Sequence, residues 1–109
     1  MPQSDALQGS LTLLVLKLLA KRAPLHGYAI MAAIHEASGD VLAVEQGSLY
    51  PALHRMEEDG WITAEWVARE NGKRVRAYSL TRAGRKQLEQ AEQRWNSVTA
   101  AVNRVLRMA

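Results

Sequence analysis

Residues 44–62 read VEQGSLYPALHRMEEDGWI, and this stretch decides the fold. Leu49, Leu53 and Met56 recur at i, i+4 and i+7, which gives a helix one buried stripe, while Ser48, Tyr50, His54 and Arg55 fall outside it. Ser48 is suited to be the N-cap, which puts Pro51 in the first turn, where a missing N–H costs no intrahelical bond. Gly60 supplies the stop, and Trp61-Ile62 opens an extended pattern. A short helix with a one-sided stripe and a polar start keeps one face free for a partner.

Beyond Gly60 the pattern changes to that of strands. Residues 62–69 and 75–80 are rich in β-branched and aromatic side chains, with Glu70-Asn71-Gly72-Lys73 between them. Asn-Gly is a strong hairpin signal because both central positions of a type I′ turn need positive φ. The expectation is a two-stranded ribbon with Lys73, Arg74 and Arg76 at or near its tip. Residues 62–86 hold seven basic and two acidic side chains, a net of +5, which leaves −2 for the rest of a chain whose total is +3. Positive charge gathered just after a polar-faced helix fits phosphate. The competing reading is a solvated basic face without a partner.

Upstream, residues 1–8 are polar and expected to fray, with Ser4 or Ser10 available as caps. Leu11, residues 13–16, Leu18 and Leu19 cover almost the whole circumference of a first helix, so burial on most sides is expected, part of it under a second subunit. Residues 21–24 break that helix, since Pro24 disfavours helical backbone at the residue before it. His26-Gly27-Tyr28 opens a second helix with Ile30, Ala33, Ile34 and Ala37 on one buried face, and Ser38-Gly39-Asp40 closes it. His26 could serve as a metal ligand, a phosphate contact or a turn residue; the chain has no HxxxH pair and His35 is nine positions away, which argues against metal. Three helices followed by a basic hairpin is the winged helix-turn-helix order, in which the third helix reads the major groove and the wing grips the adjacent backbone. The expected fold class is therefore mainly α with a small β-hairpin, a winged helix-turn-helix followed by a long last helix.

That last helix starts after Thr81 as N-cap, and Gly84 at N3 precludes a reciprocal capping box. Leu88, Ala91, Trp95, Val98, Val102, Val105 and Ala109 follow at alternating spacings of 3 and 4, an a/d seam over three heptads. Such a stripe could also lie on the helix's own domain, because three heptads do not separate a 3.5 from a 3.6 period. Self-association is favoured because the winged part already has a core, which divides the chain into a DNA-binding domain at 1–80 and a dimerisation helix at 81–109.

Composition sets the outer limits. A length of 109 residues suits one modest core, and with no Phe, that core must be filled by Leu, Val, Ala and Trp. The lack of Cys excludes disulfides and thiolate metal sites and fits a reducing cytosol. The longest apolar run, residues 11–20, is interrupted by Lys17 and too short for a bilayer, and there is no signal-peptide pattern. An enzyme is disfavoured by the absence of a Gly-rich phosphate loop, an HExxH pair and a nucleophile elbow, and no cofactor or metal is expected.

Three segments, HGY at 26–28, GSLYPALHRMEEDGWI at 47–62 and YSLTRAG at 78–84, resemble the signature segments of PadR-type transcriptional regulators. The likeness runs from about residue 7 to 106, and the length resembles the short subgroup with a single C-terminal helix. The resemblance implies a cytoplasmic homodimeric winged-helix repressor that binds a palindromic operator in double-stranded DNA. By position it puts Gln46, Gly47, Ser48, Tyr50, Pro51, His54 and Arg55 on the recognition helix, Lys73, Arg74 and Arg76 on the wing, and Tyr28, with His26, at a weaker phosphate contact. Glu57, Glu58 and Asp59 oppose the macrodipole at the helix C-terminus and would repel phosphate, so that end must point away from DNA. Family members respond to phenolic acids or hydrophobic drugs, which implies a small planar aromatic or hydrophobic effector, with Trp95 as its flat wall. The alternatives are that Trp95 only packs an interface, and that the winged domain serves protein contacts without an operator.

Overall fold

The computed structural model describes residues 2–108, with side chains from residue 10 onward. The elements are α1 (Pro2–Arg22), β1 (Leu25–His26), α2 (Gly27–Ala37), α3 (Gln46–Glu58), β2 (Ile62–Ala68), β3 (Arg74–Leu80) and α4 (Arg82–Leu106). Ser10 falls inside α1 and does not cap it. The helix already runs through residues 2–8, which were expected to fray, so Ser4 too lies inside it and is not its N-cap, while Met1 and Ala109 lie outside what is described.

Leu11, Val15, Leu16 and Leu19 of α1 meet Ile30 and Ile34 of α2, Leu49, Leu53 and Met56 of α3, and Ile62, Tyr78 and Leu88 in a single core. The three-residue stripe that opened the sequence reading is thus buried to within 1% exposure. Leu13, Leu14 and Leu18 are only half-buried within the chain, so one flank of α1 is incompletely covered. Ala37, expected on the buried face of α2, is exposed in its last turn. The chain then reverses through Gly39 and Asp40, both at positive φ, and the Ser38 hydroxyl accepts from the Leu42 N–H at 2.9 Å.

The start of α3 differs from expectation. Glu45 is the N-cap, in extended backbone and without a side-chain cap bond, and its carbonyl accepts from both Ser48 and Leu49 N–H at 3.0 Å. Ser48 is therefore the third helical residue and Pro51 the sixth, inside the second turn. Helical backbone begins earlier because Gln46 and Gly47 continue it. Pro51 then denies the Gly47 carbonyl its usual i+4 donor, and that carbonyl belongs to an exposed residue near the helix end, where water can replace the bond. The C-terminus matches expectation: Gly60 lies at φ 77, its N–H bonds to Glu57 O at 3.1 Å and that of Trp61 to Met56 O at 3.0 Å, the paired bonds of a Schellman motif.

β2 and β3 pair antiparallel from Ile62↔Leu80 to Ala68↔Arg74. Their turn is not type I′, since Gly72 is at φ 82 while Asn71 is not at positive φ. Gly72 N–H bonds to Arg69 O at 2.9 Å and Arg69 N–H to Lys73 O at 2.7 Å, a longer loop in which only the glycine is left-handed. Asn71 uses its side chain to accept from Lys73 N–H at 3.0 Å. A third strand joins them: β1 pairs with β3 through Leu25↔Tyr78 and His26↔Ala77, giving the order β1-β3-β2. Two residues are too few to show any periodicity, so only tertiary pairing reveals this strand.

Thr81 caps α4 as expected, its Oγ1 accepting from Gly84 N–H at 2.9 Å and donating to Gly60 O at 2.6 Å. A Cβ on Gly84 would overlap the Trp61 carbonyl, so this glycine lets the helix start sit against the end of the α3 turn. Leu88 is 6% exposed within the chain, which assigns it to the core and starts any free seam at Ala91. Lys17 Nζ meets Glu92 at 3.2 Å, a second tie between α1 and α4.

Candidate nucleic-acid interface

One face of α3 stays open because its opposite face is consumed by the core. Gln46, Gly47, Tyr50, Pro51, His54 and Arg55 are exposed and Ser48 is half-buried. Tyr50 is held from below: a Cβ on Gly27 would strike its phenol ring, so the glycine of the HGY segment is the seat for an aromatic of α3. Tyr28, in the first turn of α2, is 69% exposed beside that seat. His26 is half-buried and serves as N-cap of α2 without a side-chain cap bond.

The wing splits its cations into two groups. Lys73 and Arg74 are exposed near the tip, whereas Arg76 donates from a guanidinium nitrogen to Glu57 Oε2 of α3 at 2.9 Å. Arg76 is half-buried, its Nε is buried without a hydrogen-bond partner, and its charge is balanced by a carboxylate of the same chain. It therefore joins the wing to α3 and has less free charge than the two tip cations. The same pair neutralises Glu57, one of the three acidic groups at the end of α3. Glu58 lies 3.7 Å from His54 Nε2 one turn back, and Asp59 is the C-cap.

Aromatic rings extend the join. The Arg74 and Arg76 guanidinium carbons each lie 5.8 Å from the ring centroid of Trp66, and Arg76 lies 6.0 Å from that of Tyr78. Burial pushes the Tyr78 phenol above its usual range; the Arg76 cation opposes that shift, and the Glu57 carboxylate adds to it. Tyr50 and His54 of α3, Trp66, Arg69 and Arg76 of the hairpin, and Tyr28 of α2 line one groove of about 470 Å³. Sequence reading missed both Trp66 and the Glu57–Arg76 tie; the only signal was Glu57 itself, an acid at a helix end that needs a counter-charge.

On α4, Ala91 is half-buried, while Trp95, Val98, Val102 and Val105 are 49–64% exposed, joined by Leu106 at 75%. Among the described residues, no group of three or more His, Cys, Asp or Glu could hold a metal ion. No described helix is long and apolar enough to cross a membrane.

A family model described as the transcriptional regulator PadR-like family matches residues 15–90. The chain belongs to this family. PadR-like folds also appear among the most similar solved structures. A transcriptional regulator from Clostridium thermocellum superposes with a TM-score of 0.83 at 26% identity, over 92% of this chain and 96% of that one. A PadR-like regulator from Bacillus cereus gives 0.81 at 28% identity over 96% and 99%, and a PadR family regulator from Eggerthella lenta gives 0.82 at 28% over 99% and 92%. A curated relative, an uncharacterised 37.1 kDa protein in a transposon of Streptomyces fradiae, is 48% identical over 66 residues, which are 61% of this chain and 17% of that protein. The chain thus spans about a sixth of the length of that relative. The fold class read from the sequence is the one that these regulators share: four helices and a small antiparallel sheet.

Proposed function

We propose that this PadR-like regulator is a homodimeric, ligand-responsive repressor that binds a palindromic operator in double-stranded DNA in the cytoplasm. The observation that supports the DNA half of this reading is the groove lined by Tyr50 and His54 of α3 and by Arg69 and Arg76 of the hairpin, an open helix face beside a cationic strand pair. Ser48, Tyr50, His54 and Arg55 read base edges in the major groove, Lys73 and Arg74 pair with phosphates, and Tyr28 adds a weaker backbone contact. Arg76 sets the angle of the wing.

The dimer half is supported by the exposed seam of Trp95, Val98, Val102 and Val105, apolar surface that a lone chain leaves in water. In this reading residues 81–109 pair the two copies, residues 1–80 bind DNA, and the two recognition helices sit about 34–36 Å apart, one duplex turn. A small planar aromatic or hydrophobic effector stacks on Trp95 at the paired seam.

Selection of bound duplexes from a random pool, followed by gel shifts across a salt series, tests the reading. The expected outcome is a palindromic consensus and an affinity that falls steeply with salt, with Lys73→Ala and Arg74→Ala each lowering the slope by about 1. Salt-independent or absent binding would favour a protein-contact role for the winged domain. A changed sequence preference at an unchanged slope would remove the wing from phosphate.

A further inference from the structure

We propose that Trp66 is a DNA contact: its indole packs on the deoxyribose edge of the strand that passes between α3 and the wing, and its Nε1–H donates to a backbone phosphate. This rests on the DNA-binding reading above and adds to it a residue that charge and helix pattern do not single out.

Strand alternation places Trp66 on the same sheet face as Ile62 and Ala64. Along that face burial falls away: Ile62 is 2% exposed, Ala64 half-buried and Trp66 59% exposed. A large aromatic at the inward-facing register has thus run past the end of the core and emerged beside the open face of α3. The ring is also held. Arg74 and Arg76 flank it at 5.8 Å each, Arg76 is tied to Glu57 at 2.9 Å, and Ala68 beyond it is too small to cover it. An ordered ring loses little side-chain entropy when it is buried against a partner.

Its surroundings define the partner. Trp66 lines the groove together with Tyr50 and His54, so a duplex that reaches those side chains passes the indole. Among the described residues the Nε1–H meets no hydrogen-bond acceptor, and indole nitrogen is a donor only, which suits an anionic oxygen. Of the two flanking cations, the exposed Arg74 draws the same strand in, while Arg76 spends its charge on Glu57 and orients the ring. An apolar ring face beside a single donor matches a sugar and its phosphate, which carry no sequence information, so the contact contributes affinity at every site.

Trp emission and gel shifts on one operator test this. Addition of duplex should change the emission of the wild-type protein, and that change should be lost in Trp66→Phe, which leaves Trp61 and Trp95 in place. Trp66→Ala should bind about tenfold more weakly at an unchanged salt slope, because buried apolar surface is lost and no counterion is involved. Trp66→Phe should lose about threefold, the share of the N–H donor, with the ring still beneath Arg76. If Trp66 only seated Arg76, Trp66→Phe would bind like wild type with the DNA-induced emission change intact, and the proposal would fail. It would fail equally if wild type bound DNA with a normal salt slope while Trp66→Ala stayed within twofold. A wild-type protein that bound no duplex would instead overturn the DNA-binding reading and this contact together.

Discussion

Gly84→Ala sets two physical effects against each other in one methyl group. Gly84 is the third residue of α4, where helix propensity alone predicts a gain of about 0.8–1.0 kcal/mol from alanine. The structure predicts the opposite. The new Cβ would overlap the Trp61 carbonyl oxygen and lie 2.8 Å from Leu80 Cδ1. The carbonyl is backbone and cannot rotate aside: Trp61 N–H is bonded to Met56 O, its own oxygen accepts from Thr81 N–H at 3.0 Å, and β2 begins at the next residue. Relief must come from α4 backing away. That displacement loosens the Thr81 bonds to Gly60 O and Gly84 N–H, worth about 1 kcal/mol as a cap, and the seating of Leu88 in the core. Overpacking costs about 1–3 kcal/mol on top of that. The net expectation is a loss of about 1–3 kcal/mol after the propensity gain is subtracted. Equilibrium urea unfolding followed by circular dichroism, at one fixed protein concentration so that any association enters both variants equally, measures it. A stabilised Gly84→Ala protein, or one within 0.5 kcal/mol of wild type, would refute the close approach of α4 to the α3 turn.

The same substitution at Gly47, which has no neighbour within 4 Å of a built Cβ, should stabilise the fold by about 0.5–1 kcal/mol in urea unfolding, yet weaken operator binding in gel shifts if this backbone lies against phosphate. A double-mutant cycle on Glu57→Gln and Arg76→Gln should return a coupling of about 1 kcal/mol, the upper end of the range for solvent-exposed pairs, because these side chains are only 28% and 38% exposed; additivity within 0.3 kcal/mol would leave the wing untied. Val98→Asp with Val102→Asp changes side chains that are 55% and 50% exposed within the chain, so the secondary structure should persist while light scattering reports the monomer mass; an unchanged dimer mass would move the interface elsewhere.

What the sequence displays well is what neighbours along the chain decide. Leu49, Leu53 and Met56 share a stripe because of helix geometry, Gly60 ends the helix because it tolerates φ 77, and Thr81 caps because its hydroxyl reaches three residues ahead. The misreadings came where several local solutions compete. Ser48 is a good cap, yet Glu45 starts α3 because Gln46 and Gly47 can take helical backbone, and Asn71-Gly72 supports more than one hairpin loop of nearly equal cost. Long-range ties were invisible for a different reason. Glu57 and Arg76 are 19 residues apart on unlike elements, and Gly27 shows its purpose only when Tyr50 arrives above it. The open face of α3 was legible because its other face is core; the placement of Arg76 and Trp66 depends on how the hairpin folds back, which no single-strand pattern encodes.

These ties bear on how a ligand near Trp95 could change DNA affinity. The end of α3 and the start of α4 are joined directly, through Thr81 to Gly60 and through the close approach of Gly84 to Trp61, and the wing is joined to the same end of α3 through Glu57 and Arg76. α3, the wing and the first turns of α4 are therefore one tied unit, with Leu88 the last α4 residue buried in the core. Trp95 is seven residues further, about 10 Å along the helix at 1.5 Å per residue. In the proposed dimer, a ligand that wedges the seam at Trp95 pivots each α4 about its anchored start, and the tied unit carries that rotation to α3 without a change inside either winged domain. The consequence is a changed separation of the recognition helices with their individual contacts intact, so an effector of this kind alters the fit to two half-sites far more than the fit to one.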